Sequence, residues 1–425
     1  MQTRALALPL LLLIAAGCGE PRDTADPGDP TPGDPVPAPA EVRVQAFTDA
    51  RIIDGAGGPL IEDGVVVVRR GVISQVGPAG EVSVPDDAEV VELGGRFLMP
   101  GLINAHGHVG PGGDRSDVGE QLEIYAHYGV TTVFSLGDEA EVPTGERWSP
   151  ELNRARLFVS GPSLAPASPD EAESEVARVI EMGADWVKMH VNASRGRDTY
   201  PEVIRAARER MMPMAVHIEE LDDARGVLEA GATLLAHSVR DEPVDEELIA
   251  AMLEREVCLT PTLTRELSTF VYAERPDFFD DPFFLERSAP DDLDEFLTPQ
   301  RRAAAESESA RYWRDALPLA GENMVRLHEA GVGIGMGTDS GPSGRFQGYF
   351  EHLEMEMMVD AGMSPEDVLI SSTGEAARCM GLDGVIGTIR TGVWADLLVL
   401  DADPRADILN TREIHGVWIA GNRVR

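Results

Sequence analysis

Two histidines, His106 and His108, stand two residues apart in an apolar stretch that begins at Met99. On a β-strand this spacing places both imidazoles on the same face. Paired imidazoles on a rigid strand suit a metal ion, because zinc accepts ring nitrogens as ligands. The pair by itself is equally compatible with coincidence or with two buried core histidines, so residues further along the chain must decide between these interpretations.

Five more side chains of the metal-ligand or acid–base type follow, each at or near the end of an apolar run. They are Lys188, His190, His217, His237 and Asp339. In a parallel barrel the carboxyl ends of the strands meet at one mouth, which carries the chemistry. The pattern therefore predicts one shared site, and it favours a metal-binding role for the first two histidines.

The elements that must position these residues are apolar, strand-like runs that alternate with amphipathic stretches. Eight such runs are present: Met99–His108, Val130–Leu136, Arg156–Ser160, Asp185–Val191, Pro213–Ile218, Thr233–Val239, Val257–Leu263 and Val332–Asp339. Eight alternations predict an α/β fold with a (β/α)8 TIM-like barrel over residues 97–382. The long segment 264–329 is expected to be a lid or a substrate-facing insertion.

Short strands without intervening helices are predicted at both ends of this region. Residues 41–96 contain Val65–Val68 and Val72–Val76, and residues 383–425 repeat the same texture. We expect the two segments to form one small β-sandwich domain into which the barrel is inserted.

The first 18 residues have the composition of a bacterial lipoprotein signal peptide with a lipobox. The apolar residues Ala5–Ala16 are too few for a membrane-spanning helix but match a signal-peptide core. Ala15–Cys18 resembles the lipobox, and residues 19–40 form a Pro/Asp/Gly-rich tether. We expect a lipid anchor to the membrane at Cys18, hence a lipoprotein of the bacterial cell envelope facing the periplasm or the outside. Simple secretion is the alternative.

The other two cysteines are Cys258 and Cys379. Export would permit a disulfide between them, but spacing cannot settle the pairing. Because Cys258 lies in an apolar, strand-like run, buried free thiols are the default expectation.

The charge balance restricts the partners. The chain of 425 residues carries a formal net charge of −38, from 74 acidic and 36 basic residues. This excess of acid argues against nucleic acid and anionic membrane surfaces as partners. We expect an enzyme-sized protein with a small-molecule substrate, and a homo-oligomer is compatible with the sequence.

Six short motifs, taken in order, resemble the metal-dependent amidohydrolase superfamily, especially its imidazolonepropionase-like and prolidase-like branch. They are Gly-Leu-Ile-Asn-Ala-His-Gly-His, Val-Lys-Met-His, Ala-Val-His, Leu-Ala-His-Ser, Gly-Thr-Asp-Ser-Gly and Gly-Val-Trp-Ala-Asp-Leu-Leu-Val-Leu. The resemblance extends over residues 42–425. It implies a distorted barrel beside a β-sandwich, and hydrolysis by metal-activated hydroxide.

Carried over position by position, the resemblance implies two divalent metal ions, expected to be Zn²⁺. The first would be held by His106, His108 and Asp339, the second by His217 and His237, with Lys188 bridging both as a carbamate. Two adjacent cations favour the deprotonation and carboxylation that such a lysine requires. Asp339 is also the expected catalytic acid–base group.

Substrate contacts are predicted for His190, Tyr200 and Arg240, with Arg195 and Arg197 as further candidates. An arginine at the mouth can bind a carboxylate through two hydrogen bonds. A structural role for His190 and a solvated surface position for the arginine are the alternatives. For Thr260 and Thr262, buried packing is favoured over lining of the pocket. Prolidase-like relatives carry a Gly-Gly turn after the bridging lysine, which is absent here and weakens a dipeptidase assignment.

Together these features predict an exported, metal-dependent hydrolase of amide, peptide-like or cyclic C–N bonds. One alternative is a mononuclear deaminase-like or imidazolonepropionase-like hydrolase in which Lys188 only packs. The other is a catalytically silent surface-binding lipoprotein. The metal content of the purified protein distinguishes these three hypotheses. It should be near two ions per chain for the first, near one for the mononuclear enzyme and none for the silent lipoprotein.

Overall fold

A computed structural model describes residues 43–110, 117–137, 145–288 and 290–425. The predicted signal peptide, lipobox and tether lie outside these ranges. Within them, we find no helix with the length and hydrophobicity that crossing a membrane requires. The strands are β1 (Val44–Ile52), β2 (Ile61–Arg69), β3 (Val72–Pro78), β4 (Glu89–Pro100), β5 (Leu102–Gly107), β6 (Val130–Ser135), β7 (Arg156–Val159), β8 (Val187–His190), β9 (Met214–His217), β10 (Leu234–Ala236), β11 (Cys258–Thr260), β12 (Leu397–Leu400), β13 (Ile414–Ile419) and β14 (Asn422–Arg423).

Helices connect most of the strands, and several begin at a capping side chain. Asp245, for example, accepts a hydrogen bond from the amide of Leu248 and so satisfies a free donor of the first turn. The α-helices are α1 (Val118–His127), α2 (Pro169–Glu181), α3 (Tyr200–Glu209), α4 (Leu221–Ala230), α5 (Glu246–Arg255), α6 (Leu263–Ser268), α7 (Pro299–Ala305), α8 (Glu308–Glu329), α9 (Tyr349–Ala361), α10 (Pro365–Ser371) and α11 (Gly374–Cys379).

Two parallel sheets carry the wall of the predicted barrel. One has the order β5-β6-β7 and the other the order β11-β10-β9-β8. Their strands are buried throughout, apart from the partly exposed His190 at the end of β8. Burial on both faces is typical of parallel strands that are covered by helices.

Hydrogen bonds join the edges of these two sheets. The amide of Asp185 donates to the carbonyl of Val159 at 2.7 Å, which links β7 to the start of β8. The eighth run links β11 back to β5, because Leu259 donates to Gly333 at 2.9 Å and Ala105 donates to Met336 at 2.8 Å.

The eighth run forms isolated bridges and is not a regular strand. Its three glycines allow unusually close packing, and a Cβ on Gly337 would lie 2.7 Å from the Cβ of His106. The eight runs therefore follow one another in parallel, although the regular ladder is divided into two sheets.

Strands from both ends of the described chain share a third, seven-stranded sheet with the order β14-β13-β12-β4-β1-β2-β3. Its centre is β4, which pairs in parallel with β1 and antiparallel with β12. Since β4 leads directly into β5, this sheet is covalently continuous with the strand that carries His106.

The insertion 264–329 packs mainly through an aromatic cluster. Tyr272, Phe279, Phe284 and Phe296 are buried against the first turn of α9. At its start, Arg265 lines the cavity described below. These four aromatic residues of the insertion are therefore core, while Arg265 faces the mouth.

Cys258 and Cys379 form a disulfide, with a Cα–Cα distance of 5.7 Å. The prediction of free thiols is wrong. The bond connects the start of β11 to the end of α11 across 121 residues of sequence. Pairing over such a separation depends on the approach of two elements, which local composition does not report.

Candidate active site

The structure brings the six predicted metal ligands together around one cavity of about 340 Å³. Each lies in the carboxyl-terminal part of a parallel run or just beyond it: His106 in β5 and His108 just after it, Lys188 in β8, His217 in β9, His237 after β10 and Asp339 at the end of the eighth run. All are buried except His108, which is partly exposed. The parallel direction of the strands explains why residues so distant in sequence meet here.

Three of these side chains converge most closely. Asp339 Oδ1 lies 2.7 Å from His108 Nε2 and 3.4 Å from His106 Nε2. Lys188 Nζ approaches the same group and lies 3.2 Å from His106 Nε2. Arg345 forms an ion pair with the other carboxylate oxygen of Asp339.

The remaining two histidines face this group from the opposite sheet. The ring centroids of His217 and His237 are 4.1 Å apart, and those of His106 and His237 are 4.7 Å apart. The carboxylate of Glu219 lies 3.3 Å from His217 Nε2. Several imidazoles thus surround one small volume.

Burial keeps these imidazoles neutral. It lowers the pKa of His106, His217 and His237 well below the usual histidine value, with smaller contributions from nearby positive groups. For Asp339, burial raises the pKa, but the charge of Arg345 and the contact with His108 outweigh it. The pKa of Asp339 therefore lies well below its usual range. Neutral imidazoles beside an ionised carboxylate are the protonation states that metal ligands require.

The donor set fits a divalent metal. One ligand atom each of His106, His237 and Asp339 lies within 4.8 Å of the others. The second ring nitrogen of each histidine is held by oxygen: His106 Nδ1 lies 3.3 Å from Thr260 Oγ1, and His237 Nδ1 lies 2.5 Å from Thr262 Oγ1. Such contacts orient an imidazole so that its other nitrogen can bind metal. Thr260 and Thr262, expected to be packing residues, therefore hold the predicted ligands.

A family model of the amidohydrolase family matches residues 97–424. The chain belongs to the amidohydrolase family. The resemblance to the amidohydrolase superfamily inferred from the motifs is thereby confirmed. This amidohydrolase is a hydrolase that acts on carbon–nitrogen bonds.

Known proteins similar to this amidohydrolase include an imidazolonepropionase from Rubrobacter xylanophilus (strain DSM 9941 / JCM 11954 / NBRC 16129 / PRD-1). It is 27% identical over 357 residues, which cover 78% of this chain and 82% of the relative. A Xaa-Pro dipeptidase solved with bound methionine is 20% identical, with a TM-score of 0.71 over 89% of this chain and 99% of the other. A molinate hydrolase is 20% identical, with a TM-score of 0.69 over 90% of this chain and 94% of the other. The solved structures show that the amidohydrolase fold is shared.

Three charged residues that line the cavity were not predicted from the sequence of this amidohydrolase. They are Glu219, Arg265 and Arg345. Glu219 follows the ligand-bearing strand β9 by two residues, a position that could have drawn attention to it. Arg345 lies in the loop after the eighth run, and no periodic pattern indicated that its side chain turns back to Asp339.

The predicted substrate contacts have different positions. His190 lines the cavity, with its ring centroid 4.5 Å from that of His217 and Nδ1 2.7 Å from Ser163 Oγ. Tyr200 is not among the described lining residues. A Cβ atom added to Gly226 would lie 2.5 Å from the hydroxyl oxygen of Tyr200. The Tyr200 ring therefore packs between α3 and α4.

Arg240 is fully buried beneath the mouth and not solvated at the surface. Its Nε lies 3.2 Å from the carboxylate of Glu266, and its Nη1 donates to the carbonyl of Ile218 at 3.1 Å. The guanidinium also lies over the ring of Trp313. With these partners, Arg240 stabilises the loop after β10, and the partly buried Arg265 is the arginine that lines the cavity.

Proposed function

We propose that this amidohydrolase hydrolyses an amide, peptide-like or cyclic C–N bond with two divalent metal ions, Zn²⁺ in the first instance. The observation that carries the proposal is the approach of Asp339 Oδ1 to His108 Nε2, at 2.7 Å, beside the buried amine of Lys188. The first metal would be held by His106, His108 and Asp339, the second by His217 and His237, with carboxylated Lys188 shared between them. When bound, such ions acidify water and polarise the scissile carbonyl.

The side chains of the cavity supply the remaining chemistry. Asp339 is ionised and can take a proton at Oδ1, then deliver it to the leaving nitrogen. Arg345 holds the other carboxylate oxygen and so fixes which oxygen faces the histidines. Arg195, Arg265 and Glu219 line the same cavity and provide charged groups for orienting a polar substrate. These arginines replace Arg240 as the groups that we expect to contact substrate.

A mononuclear enzyme of the deaminase-like or imidazolonepropionase-like kind is the second candidate. It is favoured by the tight grouping of ligand atoms from His106, His237 and Asp339 alone, which matches a single ion. In this alternative Lys188 keeps its amine and only packs against His106.

Lys188 is the sole lysine among the 425 residues, so lysine-specific measurements report on this site without a contribution from other lysines.

Metal content and hydrolysis together test the proposal. Purified protein should contain about two metal ions per chain by elemental analysis, and about one in the mononuclear alternative. A screen over dipeptides, N-acyl amino acids, lactams and lactones should find turnover of a C–N bond that a chelator abolishes. Hydrolysis that resists complete metal removal, or metal-replete protein that turns over only the lactones, contradicts the proposal.

We propose further that the enzyme is exported and anchored through an acylated Cys18. The disulfide between Cys258 and Cys379 supports export, because structural disulfides form and persist in oxidising compartments. Cys18→Ser should move the protein from the membrane fraction to the soluble fraction, whereas Cys379→Ser should leave its location unchanged. A native protein found in the cytosol would contradict export, and a Cys18→Ser protein that stays membrane-bound would contradict the anchor.

A further inference from the structure

The eighth run ends in a conformation that its neighbours must enforce. Asp339 has a φ of 59°, in the left-handed region, which is unfavourable for residues other than glycine. Such a backbone persists only where the surrounding structure holds it. The amide of Asp339 donates to the carbonyl of His106 at 2.6 Å, but the residues on either side must also be fixed.

Both of these neighbours bind one buried carboxyl oxygen. Glu351, in the first turn of α9, is fully buried. Its Oε1 accepts hydrogen bonds from Thr338 Oγ1 at 2.8 Å and from Ser340 Oγ at 2.6 Å. The side chains that flank Asp339 are thus joined through a single atom.

The same atom connects the eighth run to β5. Glu351 Oε1 accepts a third hydrogen bond, from Asn104 Nδ2 at 2.6 Å. The side-chain oxygen of Asn104 accepts in turn from the amide of His106 at 2.9 Å. Glu351 therefore spans the two chain segments that deliver the nearest group of proposed ligands.

We propose that Glu351 is a positioning residue, which holds Asp339 and His106 in register through Thr338, Ser340 and Asn104. The proposal rests on the function proposed above, in which both held residues bind the first metal. Through this residue α9, which contributes no lining side chain among the described residues, determines the shape of the site.

Simple core packing does not explain this carboxyl group. Burying a carboxyl is costly, and burial raises the pKa of Glu351. Its second oxygen, Oε2, has no hydrogen-bond partner among the described residues, whereas Oε1 accepts from three side chains beside the proposed ligands. By contrast Glu354, one turn later, accepts from the amides of Leu263 and Thr264 and secures α6.

The test compares Glu351→Met with Glu351→Gln. Glutamine keeps an acceptor at Oε1 and places its amide nitrogen where Oε2 has no partner, whereas methionine fills the volume without any acceptor. We expect Glu351→Gln to bind Zn²⁺ within about threefold of wild-type affinity. Glu351→Met should lose at least tenfold in Zn²⁺ affinity, measured by competition with a chromogenic chelator, and its kcat should fall at least tenfold with little change in KM.

Two further variants separate positioning from stability. His352→Leu removes two hydrogen bonds on the same helix, to Thr411 and Tyr128, without touching the site, and should lower Tm while leaving Zn²⁺ affinity unchanged. Ser340→Ala removes one of the three hydrogen-bond donors to Glu351 Oε1, and it replaces Glu351→Met as the test if that variant does not fold. A loss of Zn²⁺ affinity in Ser340→Ala then supports the positioning role of Glu351. Wild-type affinity overturns that role.

A crystal structure of the apo Glu351→Met or Ser340→Ala protein tests positioning without metal, through the φ of Asp339 and its distance to His106. An unchanged geometry together with wild-type Zn²⁺ affinity overturns the proposal. A wild-type protein that binds no Zn²⁺ overturns the proposed function instead, and the variant geometry then still decides whether Glu351 holds Asp339.

Discussion

His108 Nε2 lies 2.7 Å from Asp339 Oδ1, although 231 residues separate the two in the chain. The contact joins the end of β5 to the end of the eighth run across the cavity. It places the Asp339 carboxylate beside the two histidines of the first proposed metal, an arrangement that suits a metal site. The first prediction concerns this carboxylate.

Asp339→Asn should lower kcat by about 10² or more, because a neutral amide cannot take up and return a proton. Much of the metal should be retained, since the amide oxygen can still act as a ligand. Activity and metal content are measured on the same preparation, with the exposed Asp383→Asn as the control. Rescue by excess metal would mean that Asp339 only holds the ion, and near wild-type turnover would remove it from the mechanism.

Lys188→Ala should lose metal and activity together if the lysine is a bridging carbamate. Added acetate or propionate should restore part of both, because a free carboxylate can occupy the vacated volume. Since Lys188 is the sole lysine, protein labelled with ¹³C-bicarbonate should show one carbamate signal by NMR, which Lys188→Ala abolishes. Full activity with unchanged metal content in Lys188→Ala would leave the mononuclear alternative.

Removal of the disulfide should destabilise the fold by about 2–5 kcal/mol, the usual range for a native cross-link. The double variant Cys258→Ser/Cys379→Ser avoids leaving a reactive thiol, and urea unfolding of oxidised wild type and variant measures the difference. Because the bond lies between β11 and α11 and not in the cavity, kcat should change little. Two free thiols in denatured, unreduced protein would contradict the bond.

Stability should fall on acidification, and His352 provides a clean measure of this effect. Burial lowers the pKa of His352 to about 3, against about 6.5 in an unfolded chain. Below about pH 6.5 the unfolded state therefore takes up a proton that the folded state does not. The stabilising effect is fully present above this pH and is lost as pH falls towards 3, at about 1.4 kcal/mol per pH unit.

Urea unfolding of chelator-treated protein between pH 7.5 and 5 measures this dependence, with His352→Gln as the comparison. The free energy of unfolding of the variant should fall less steeply as the pH decreases, because its unfolding takes up about one proton fewer. Glu354, whose pKa burial raises to about 8, has the opposite dependence, but it is present in both proteins and cancels in the difference. Parallel curves for the two proteins would show that His352 does not contribute.

The types of ligand and the strands that carry them could be read from the sequence. Asp339 ends an apolar run, and His106, Lys188 and His217 lie within or near the end of one. The direction of parallel strands brings such ends together without any knowledge of side-chain contacts. The same rule predicted seven runs that are strands. It also predicted the eighth as a strand, but that run forms only isolated bridges, and at Gly337 it passes so close to His106 of β5 that a Cβ would lie 2.7 Å from the His106 Cβ.

The partners of these side chains were decided by the tertiary structure alone. Cys258 pairs with Cys379, Arg240 is buried against Glu266, and Glu351 binds the residues that flank Asp339. Each contact depends on how two distant elements pack, and periodicity describes only one element at a time. A sequence pattern therefore shows which residues reach the mouth of the barrel, whereas the packing of helices behind the strands determines how rigidly each one is held.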